Sequence, residues 1–245
     1  MKTLFKKQHA IFTLILLFTL SLNSQSDKAI KGNGKVSTKT LKTGDYEGIS
    51  CAGSMDYILV RGAEGNITIE GEENLLEYIE AEVKDNTLKV GVKKNFNLKT
   101  SKNNTIKITI PFKDINSVSL AGSGDLWNED KLSTNSLVVS LAGAGDLTLD
   151  IETSEVEGKI AGSGDLTLKG NTNALVAKVA GSGNFHAFDL QSNDTVVSVA
   201  GSGDAEVVSN ESIVARVAGS GDIVYKGNPG KEDNKVAGSG DISKS

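Results

Sequence analysis

The sequence has few of the residues that form disulfides, metal sites and rigid linkers. Its 245 residues include one cysteine, two histidines and two prolines, and aromatic residues make up 5%. A single cysteine excludes an internal disulfide, and so few histidines leave little material for a Cys/His metal site. Scarce proline excludes collagen and proline-rich linkers. The scarcity of aromatic residues predicts an aliphatic core, and we expect no cofactor.

The N-terminus has the layout of a secretory signal peptide. Lys2, Lys6 and Lys7 precede a mainly apolar run from Ala10 to Leu22. This run is shorter than the ~20 residues of a membrane-spanning helix, and small or polar residues follow it. We predict a signal peptide over residues 1–24 and an exported chain in the periplasm, on the outer surface or in the medium. No membrane span is expected after cleavage.

The charge balance is acidic. The formal net charge is −5, and it falls to −8 when a leader with three lysines and no acids is removed. An acidic protein repels the phosphates of nucleic acids, so no nucleic-acid partner is expected.

A five-residue motif recurs through the second half of the chain. It reads Ala-Gly-Ser-Gly-Asp or differs from that by one residue, and it begins at Ala121, Ala142, Ala161, Ala180, Ala200, Ala218 and Ala237. The starts are about 19 residues apart, and apolar and polar residues alternate on both sides of each motif. Alternation predicts strands, glycine suits the corner between them, and stacking lets each unit cover its neighbour. We predict an all-β fold, a parallel β-helix or β-solenoid, with regular repeats over residues 117–245.

The first half is less regular. A degenerate motif copy begins at Ala52, and the alternation around it predicts that Cys51 is a buried, inert thiol. Further alternating segments predict strands, and Glu72–Glu80 predicts a short surface helix. Residues 25–44 are polar and are expected to form a flexible lead-in. We predict one β-helix domain over residues 45–245, with a separate small β domain before the repeats as the alternative.

Several segments together resemble a known family. They are Gly48–Asp56, Val60, Asn66–Ile79, Thr87–Val90 and the Gly-Ser-Gly-Asp series. The combination resembles the putative auto-transporter adhesin, head GIN domain family of exported bacterial proteins. The resemblance implies a right-handed parallel β-helix and an adhesin role, and it supplies no catalytic residues.

Two sets of side chains are candidates for binding. Stacked coils would align six motif aspartates, Asp125, Asp146, Asp165, Asp204, Asp222 and Asp241, as a candidate calcium ladder. Because Asn184 fills that place in the remaining motif, we favour a hydrogen-bonded turn over an ion site. An outward ligand face is predicted from Trp127, Lys159, Lys178, Arg216 and Lys235. The alternatives are a solvated face and, for the tryptophan, packing under the following loop.

These observations predict a non-enzymatic interaction module. We expect an adhesin or periplasmic binding protein with a glycan or a protein as its surface partner, and no catalytic site. His186 is expected to be a solvated strand residue. The alternative is a polysaccharide-binding or polysaccharide-cleaving β-helix protein, which would need acidic and basic groups clustered in a groove. The last coil has an open edge, so self-association through that end of the solenoid, or fraying, is also expected.

Overall fold

The computed structural model describes residues 27–102 and 104–245, so the predicted signal peptide lies outside the described residues. The first half of the described chain forms short strands and one 3₁₀ turn. These elements are β1 (Lys28–Lys31), β2 (Val36–Lys42), β3 (Gly48–Gly53), β4 (Asp56–Arg61), β5 (Asn66–Glu72), the 3₁₀ turn (Leu76–Tyr78), β6 (Ile79–Lys84), β7 (Thr87–Val92), β8 (Phe96–Lys99) and β9 (Lys107–Phe112).

The second half consists of repeated strands. They are β10 (Ser117–Gly122), β11 (Leu126–Asn128), β12 (Leu132–Gly143), β13 (Leu147–Gly162), β14 (Leu166–Asn171), β15 (Ala174–Gly181), β16 (Phe185–Gln191), β17 (Asp194–Gly201), β18 (Ala205–Val208), β19 (Ser212–Gly219), β20 (Ile223–Lys226), β21 (Lys231–Gly238) and β22 (Ile242–Lys244). None of the described residues belongs to a helix that is long and apolar enough to cross a membrane.

The repeats stack as parallel coils with the motifs in register. Each motif alanine is paired with the alanine of the next coil, from Ala121 through Ala237. Strands that precede the motifs form one surface, here called the front face, and strands that follow them form the back face. The β-solenoid prediction is confirmed, with about seven turns roughly 19 residues apart.

The core is built from aliphatic columns that run through the stack. In every coil but the last, the residues on either side of the motif are no more than 2% exposed. They are Leu120, Leu141, Ile160, Val179, Val199 and Val217 before the motifs and Leu126, Leu147, Leu166, Phe185, Ala205 and Ile223 after them. Each large apolar side chain buried in this way contributes about 1.5–3 kcal/mol. Where Phe185 enters the core, its neighbour is Gly158, at which a Cβ would lie 2.4 Å from the ring. A large side chain in one coil is thus balanced by a missing one in another.

The two glycines of each motif are required for different reasons. The first glycine has a φ of +129° to +141°, and a Cβ there would lie 2.0–2.3 Å from the backbone of the coil below. The second glycine has no positive φ, but a Cβ there would lie 1.9–2.1 Å from the coil below. From Gly122 to Gly219, each first-glycine carbonyl also accepts two N–H groups from the next coil, as Gly122 does from Ala144 and Gly145. The motif is therefore a corner at which stacked backbones touch.

The degenerate copy forms a coil directly beneath the repeats. Cys51 is paired with Leu120 and Ala52 with Ala121, so β3 and β4 continue the front and back faces. Cys51 is 0% exposed, and burial raises the pKa of its thiol, which confirms the predicted buried cysteine. Below this coil, β7 and β9 pair in parallel with β3 and β4, and antiparallel β6 and β5 then pair with β7 and β9. The boundaries of a single domain remain a prediction.

The expected flexible lead-in over residues 25–44 is wrong for the part of it that the structure describes. All seven residues of β2 pair antiparallel with β5, and β1 pairs in parallel with β8. The edge of β5 offers open backbone donors and acceptors, and Leu41 and Ile30 pack against the core. Backbone pairing and apolar contact thus order a segment that looks polar in sequence.

The expected helix over Glu72–Glu80 is also wrong. Only Leu76–Tyr78 form a 3₁₀ turn, and Ile79 begins β6, which pairs with β7 along its whole length. Leu75, Leu76 and Ile79 are all buried. Pairing with a strand outweighs the helix propensity of this segment.

Candidate functional site

The four basic residues of the predicted ligand face lie in one column of the front face. Register pairs Lys159 with Lys178, and Ser198 separates that pair from Arg216 and Lys235. Stacked coils therefore bring together side chains that are up to 76 residues apart in sequence. Their role in binding remains a prediction.

Half of this positive charge is neutralised on the face itself, because two carboxylates pair with three of the four basic side chains of the column. Glu157 accepts from the ammonium groups of Lys159 and Lys178, each at 2.8 Å, and these lysines hold the pKa of Glu157 below its usual range. Arg216 pairs with Asp233 and likewise lowers the pKa of that carboxyl. The front face is consequently less basic than its sequence suggests.

A column of valines runs beside the basic column. It contains Val138, Val176, Val196 and Val214, interrupted by Glu157 and closed by Asp233. Val138 is 36% exposed and Val196 is 44% exposed. On the other side of the basic column lie the exposed motif alanines. The front face thus presents three parallel stripes. The valine stripe is mainly apolar, the middle stripe carries hydrogen-bonding or charged side chains, and the third carries the small side chains of the motif alanines.

Trp127 does not lie in the basic column. It belongs to β11 on the back face, where it is half-buried between Ile58 and Thr148. The same back-face column continues to His186, whose Nδ1 lies 3.0 Å from Oε2 of Glu206 on the next coil. The structure therefore divides the predicted ligand face between two surfaces.

The aspartate ladder makes hydrogen bonds between coils. In each step, Oδ1 accepts the backbone N–H of the residue at the same place in the next coil, at 2.8–3.3 Å. Asn184 makes the same bond to Asp204 at 3.0 Å, because its amide oxygen is an equivalent acceptor. The N–H comes from the next coil, whereas an Asx turn would bond within its own turn. In residues 27–102 and 104–245 no group of three or more His, Cys, Asp or Glu side chains is placed to hold a metal.

A second polar ladder was not predicted. Thr172, Ser192 and Ser209 are buried where the chain turns from the back face to the front face. Each hydroxyl donates to a carbonyl two or three residues further on, at 2.6–3.2 Å. An asparagine follows each of them, so the Ser/Thr-Asn pair after a back-face strand is the sequence signal for this corner.

The family follows from the sequence together with this geometry. Residues 45–229 match the family described as putative auto-transporter adhesin, head GIN domain. The chain belongs to this family. The resemblance read from the GIN-domain segments and the motif series is therefore confirmed.

Solved structures of other bacterial proteins have the same fold. A putative adhesin from Bacteroides fragilis is 28% identical, with a TM-score of 0.81 over 88% of this chain and 100% of that one. A putative lipid binding protein from Parabacteroides distasonis is also 28% identical, with a TM-score of 0.73 over 89% and 100%. A putative adhesin from Parabacteroides merdae, at 24% identity and a TM-score of 0.68 over 89% and 99%, supports the fold alone. No curated protein matches the chain.

Proposed function

We propose that this GIN-domain protein is an exported, non-enzymatic adhesin that attaches to a glycan or protein partner through its front face. The observation that carries the proposal is the position of the exposed large apolar side chains. Val138 and Val196 lie in the outward valine column of the front face. The other two comparably exposed valines among the described residues are Val36 in β2 and Val236, which extends the core column of Val217 into the last coil. Exposed apolar side chains that lie together are typical of interaction surfaces.

The charge pattern of the front face supports attachment to a neutral or mixed partner. Glu157 pairs with two lysines and Asp233 pairs with Arg216, so a partner meets apolar stripes beside a partly neutralised basic column. Surface ion pairs of this kind cost little to rearrange, since each is worth about 0–1 kcal/mol. The two relatives at 28% identity are described as a putative adhesin and a putative lipid binding protein, and both descriptions support a binding role.

A second candidate, polysaccharide binding, is favoured by a shallow groove next to the front face. The groove has a volume of about 480 Å³ and is lined by hydroxyl, amide and carboxylate side chains, including Ser133, Asn135, Glu152, Thr153 and Asn173. Such groups hydrogen-bond sugar hydroxyls. A polysaccharide that bound here would lie across three successive coils.

Glycan arrays and panels of purified surface proteins test both candidates on the mature chain. We expect saturable binding that the double substitution Val138→Ser/Val196→Ser weakens at least ~10-fold, equivalent to about 1.4 kcal/mol. Val224→Ser, at an outward back-face position, is the matched control and should leave binding unchanged. Absence of saturable binding on both panels, or equal loss in the two variants, would contradict the proposal.

A further inference from the structure

The stack is interrupted beneath its first corner. The parallel pairing beneath β3 ends at Val90, and the pairing beneath β4 begins only at Lys107. Where a short corner would close a regular coil, residues 91–106 make a detour instead. Part of this detour is β8, which pairs with β1 as a separate two-stranded sheet, here called the side sheet. A cavity of about 270 Å³ lies between the side sheet and the corner Gly53–Met55.

The side sheet lies at the lower end of the edge that the motif corners form, here called the corner edge. Gly53 is paired with Gly122, so the corner Gly53–Met55 extends the column of motif corners downward. Phe96 and Leu98 of the side sheet line the cavity beneath that corner. The side sheet and the seven motif corners therefore follow one another along a single edge of the solenoid.

The side sheet is strongly basic. Lys31 and Lys99 are direct neighbours across its two strands, and like charges in this arrangement oppose strand pairing. Residues 27–31 and 93–102 contain one aspartate and six exposed lysines, namely Lys28, Lys31, Lys93, Lys94, Lys99 and Lys102. Within the described part of the chain, none of the six makes an ion pair. The side sheet thus presents positive charge that no ion pair neutralises.

A buried carboxylate holds the side sheet in place in spite of this repulsion. Glu72 on β5 is 0% exposed. Its carboxylate accepts the backbone N–H and the hydroxyl of Ser101, after β8, each at 2.8 Å, and the backbone N–H of Gly34, after β1. These hydrogen bonds, that of the Ser101 N–H foremost, keep the pKa of Glu72 below its usual range. Even with Glu73 and Glu77 of the same segment counted, the lysines outnumber the acids around them.

The rest of the corner edge is acidic. The seven motifs contain six aspartates and no lysine or arginine, and apart from Asn184 their other residues are alanine, glycine and serine. Asp165 is half-buried and the other five aspartates are exposed. None of the six belongs to an ion pair in residues 27–102 and 104–245. With coils about 4.8 Å apart, the carboxylates form a row about 29 Å long from Asp125 to Asp241.

The corner edge is consequently complementary to a second copy of itself. Two copies that lay edge to edge with their axes parallel would bring aspartates against aspartates. Antiparallel copies bring the lysines of each against the aspartates of the other, and a two-fold axis makes both contacts at once. Full overlap of the two edges places Asp222 and Asp241 of one copy opposite the side sheet of the other.

We propose that the side sheet binds the aspartate ladder of a second copy of this chain, which gives an antiparallel dimer along the corner edges. The row of carboxylates is about 29 Å long and about 10 Å wide, or roughly 300 Å² per copy, where a standard interface has ~800 Å². The dimer is therefore weak and depends on charge. Both front faces lie on the same side of it, so attachment through the dimer is bivalent, a consequence that rests on the proposed function.

Sedimentation velocity of the mature chain over a range of concentrations tests the dimer. At ~0.1 M salt the Debye length of about 10 Å screens the repulsion between two chains of net charge −8 but leaves close ion pairs effective. We expect a monomer–dimer equilibrium whose dissociation constant rises at least ~10-fold at ~1 M salt, where the Debye length is about 3 Å. A strict monomer at ~0.1 M salt, or association that ~1 M salt leaves unchanged, would overturn the proposal.

Charge reversal identifies the two contacting surfaces. Lys31→Glu/Lys99→Glu and Asp222→Lys/Asp241→Lys should each weaken self-association at least ~10-fold, because like charges then meet at both contacts. An equimolar mixture of the two variants should recover dimers. In that mixed dimer a reversed side sheet meets a reversed ladder, and the other contact is unchanged. Misfolding of either variant could not produce this recovery, and its absence would contradict the assignment.

A matched control separates the contact from the net charge. Lys84→Glu/Lys169→Glu makes the same change of charge as the lysine variant, at exposed positions outside the corner edge, and should retain self-association. Equal loss in the control and the lysine variant would contradict the proposed contact. Self-association that survives both reversals would place the contact elsewhere, such as the open last coil, and would overturn the proposal.

Two further measurements separate this proposal from other interactions. Dextran sulfate that bound a strictly monomeric chain, but not the lysine variant, would assign the lysines to a polyanion and overturn the dimer. The front-face valine substitutions should leave self-association unchanged. The dimer can therefore fail while the adhesin proposal stands, and the reverse also holds.

Discussion

The repeat coils and the base of the solenoid share a fold but are subject to different packing constraints. In the repeats every corner lies against another copy of itself, and a Cβ on a motif glycine would lie 1.9–2.3 Å from that copy. At the base no such copy lies beneath Gly53–Met55, and antiparallel strands, a buried carboxylate and a cavity take its place. Repetition therefore restricts the residues that fit, while the interruption of the repeat leaves a cavity.

The largest difference between the two regions should appear on adding a methyl group to a glycine. Gly162→Ala combines positive-φ strain of about 1–3 kcal/mol with overpacking of about 1–3 kcal/mol, so we expect a loss of at least ~2 kcal/mol or failure to fold. Gly34→Ala in the base has a φ of +78° but nothing within 4 Å, so about 1 kcal/mol is expected. Urea unfolding measures both, and similar losses would show that contact between coils is not what requires the glycine.

The next largest effect is on the pH dependence of stability, to which Glu72 contributes in the base. The folded-state pKa of Glu72 lies below its ordinary value of 4.5, so its stabilising contribution is complete above pH 4.5 and is lost as the pH falls through the lower folded value. Glu72→Gln should already lack this contribution at pH 7 and should lose less stability than the wild type on going to pH 3. Unfolding curves at the two pH values test this. An identical pH dependence in the two proteins would show that ionised Glu72 does not stabilise the base.

A smaller effect is expected in the corner ladder. Asp165→Ala removes the acceptor of the Asn184 N–H, at 2.8 Å, and should cost about 1 kcal/mol at this partly exposed site. Asp165→Asn retains an acceptor and should stay within about 0.5 kcal/mol of the wild type. Millimolar calcium should shift the melting temperature of neither variant nor the wild type. A calcium-dependent rise that Asp165→Asn abolishes would restore the ion-site hypothesis.

The smallest effect is expected on the front face. Glu157→Gln removes two exposed ion pairs and should change the free energy of unfolding by less than about 1 kcal/mol, with less effect at high salt. The same substitution should leave a more basic column and raise affinity for anionic glycans on the array. If stability falls by several kcal/mol, the front face has a structural role that its exposure does not suggest.

Sequence patterns predicted the regular half of the fold in some detail. The spacing of the motifs predicted the coils, the alternation around them predicted the inward columns, and the glycines predicted the corners. The column of Lys159, Lys178, Arg216 and Lys235 follows directly from that register. Such inference works because each coil repeats the environment of the last, so one local pattern is tested seven times within a single sequence.

The irregular parts could not be predicted in this way. By composition, β1 and β2 form a polar segment, and the sequence does not reveal that they pair with β8 and β5. Ile79 lies among helix-forming residues, and the sequence does not reveal that it pairs with β7. The partner of each cation, such as Glu157 for two lysines, depends on rotamers across neighbouring coils. The cavity arises from a corner that is absent, and a missing element leaves no motif in the sequence.

By itself, the sequence determined the coil period, the corner residues and the burial of Cys51, because these depend on local alternation and on the steric freedom of glycine. Tertiary structure alone decided that Trp127 and the basic column lie on different faces and that Glu72 joins the segments that follow β1 and β8. It also decided that a cavity lies beneath the Gly53–Met55 corner. Those features depend on contacts between residues far apart in the chain, whose register is set only when the coils stack.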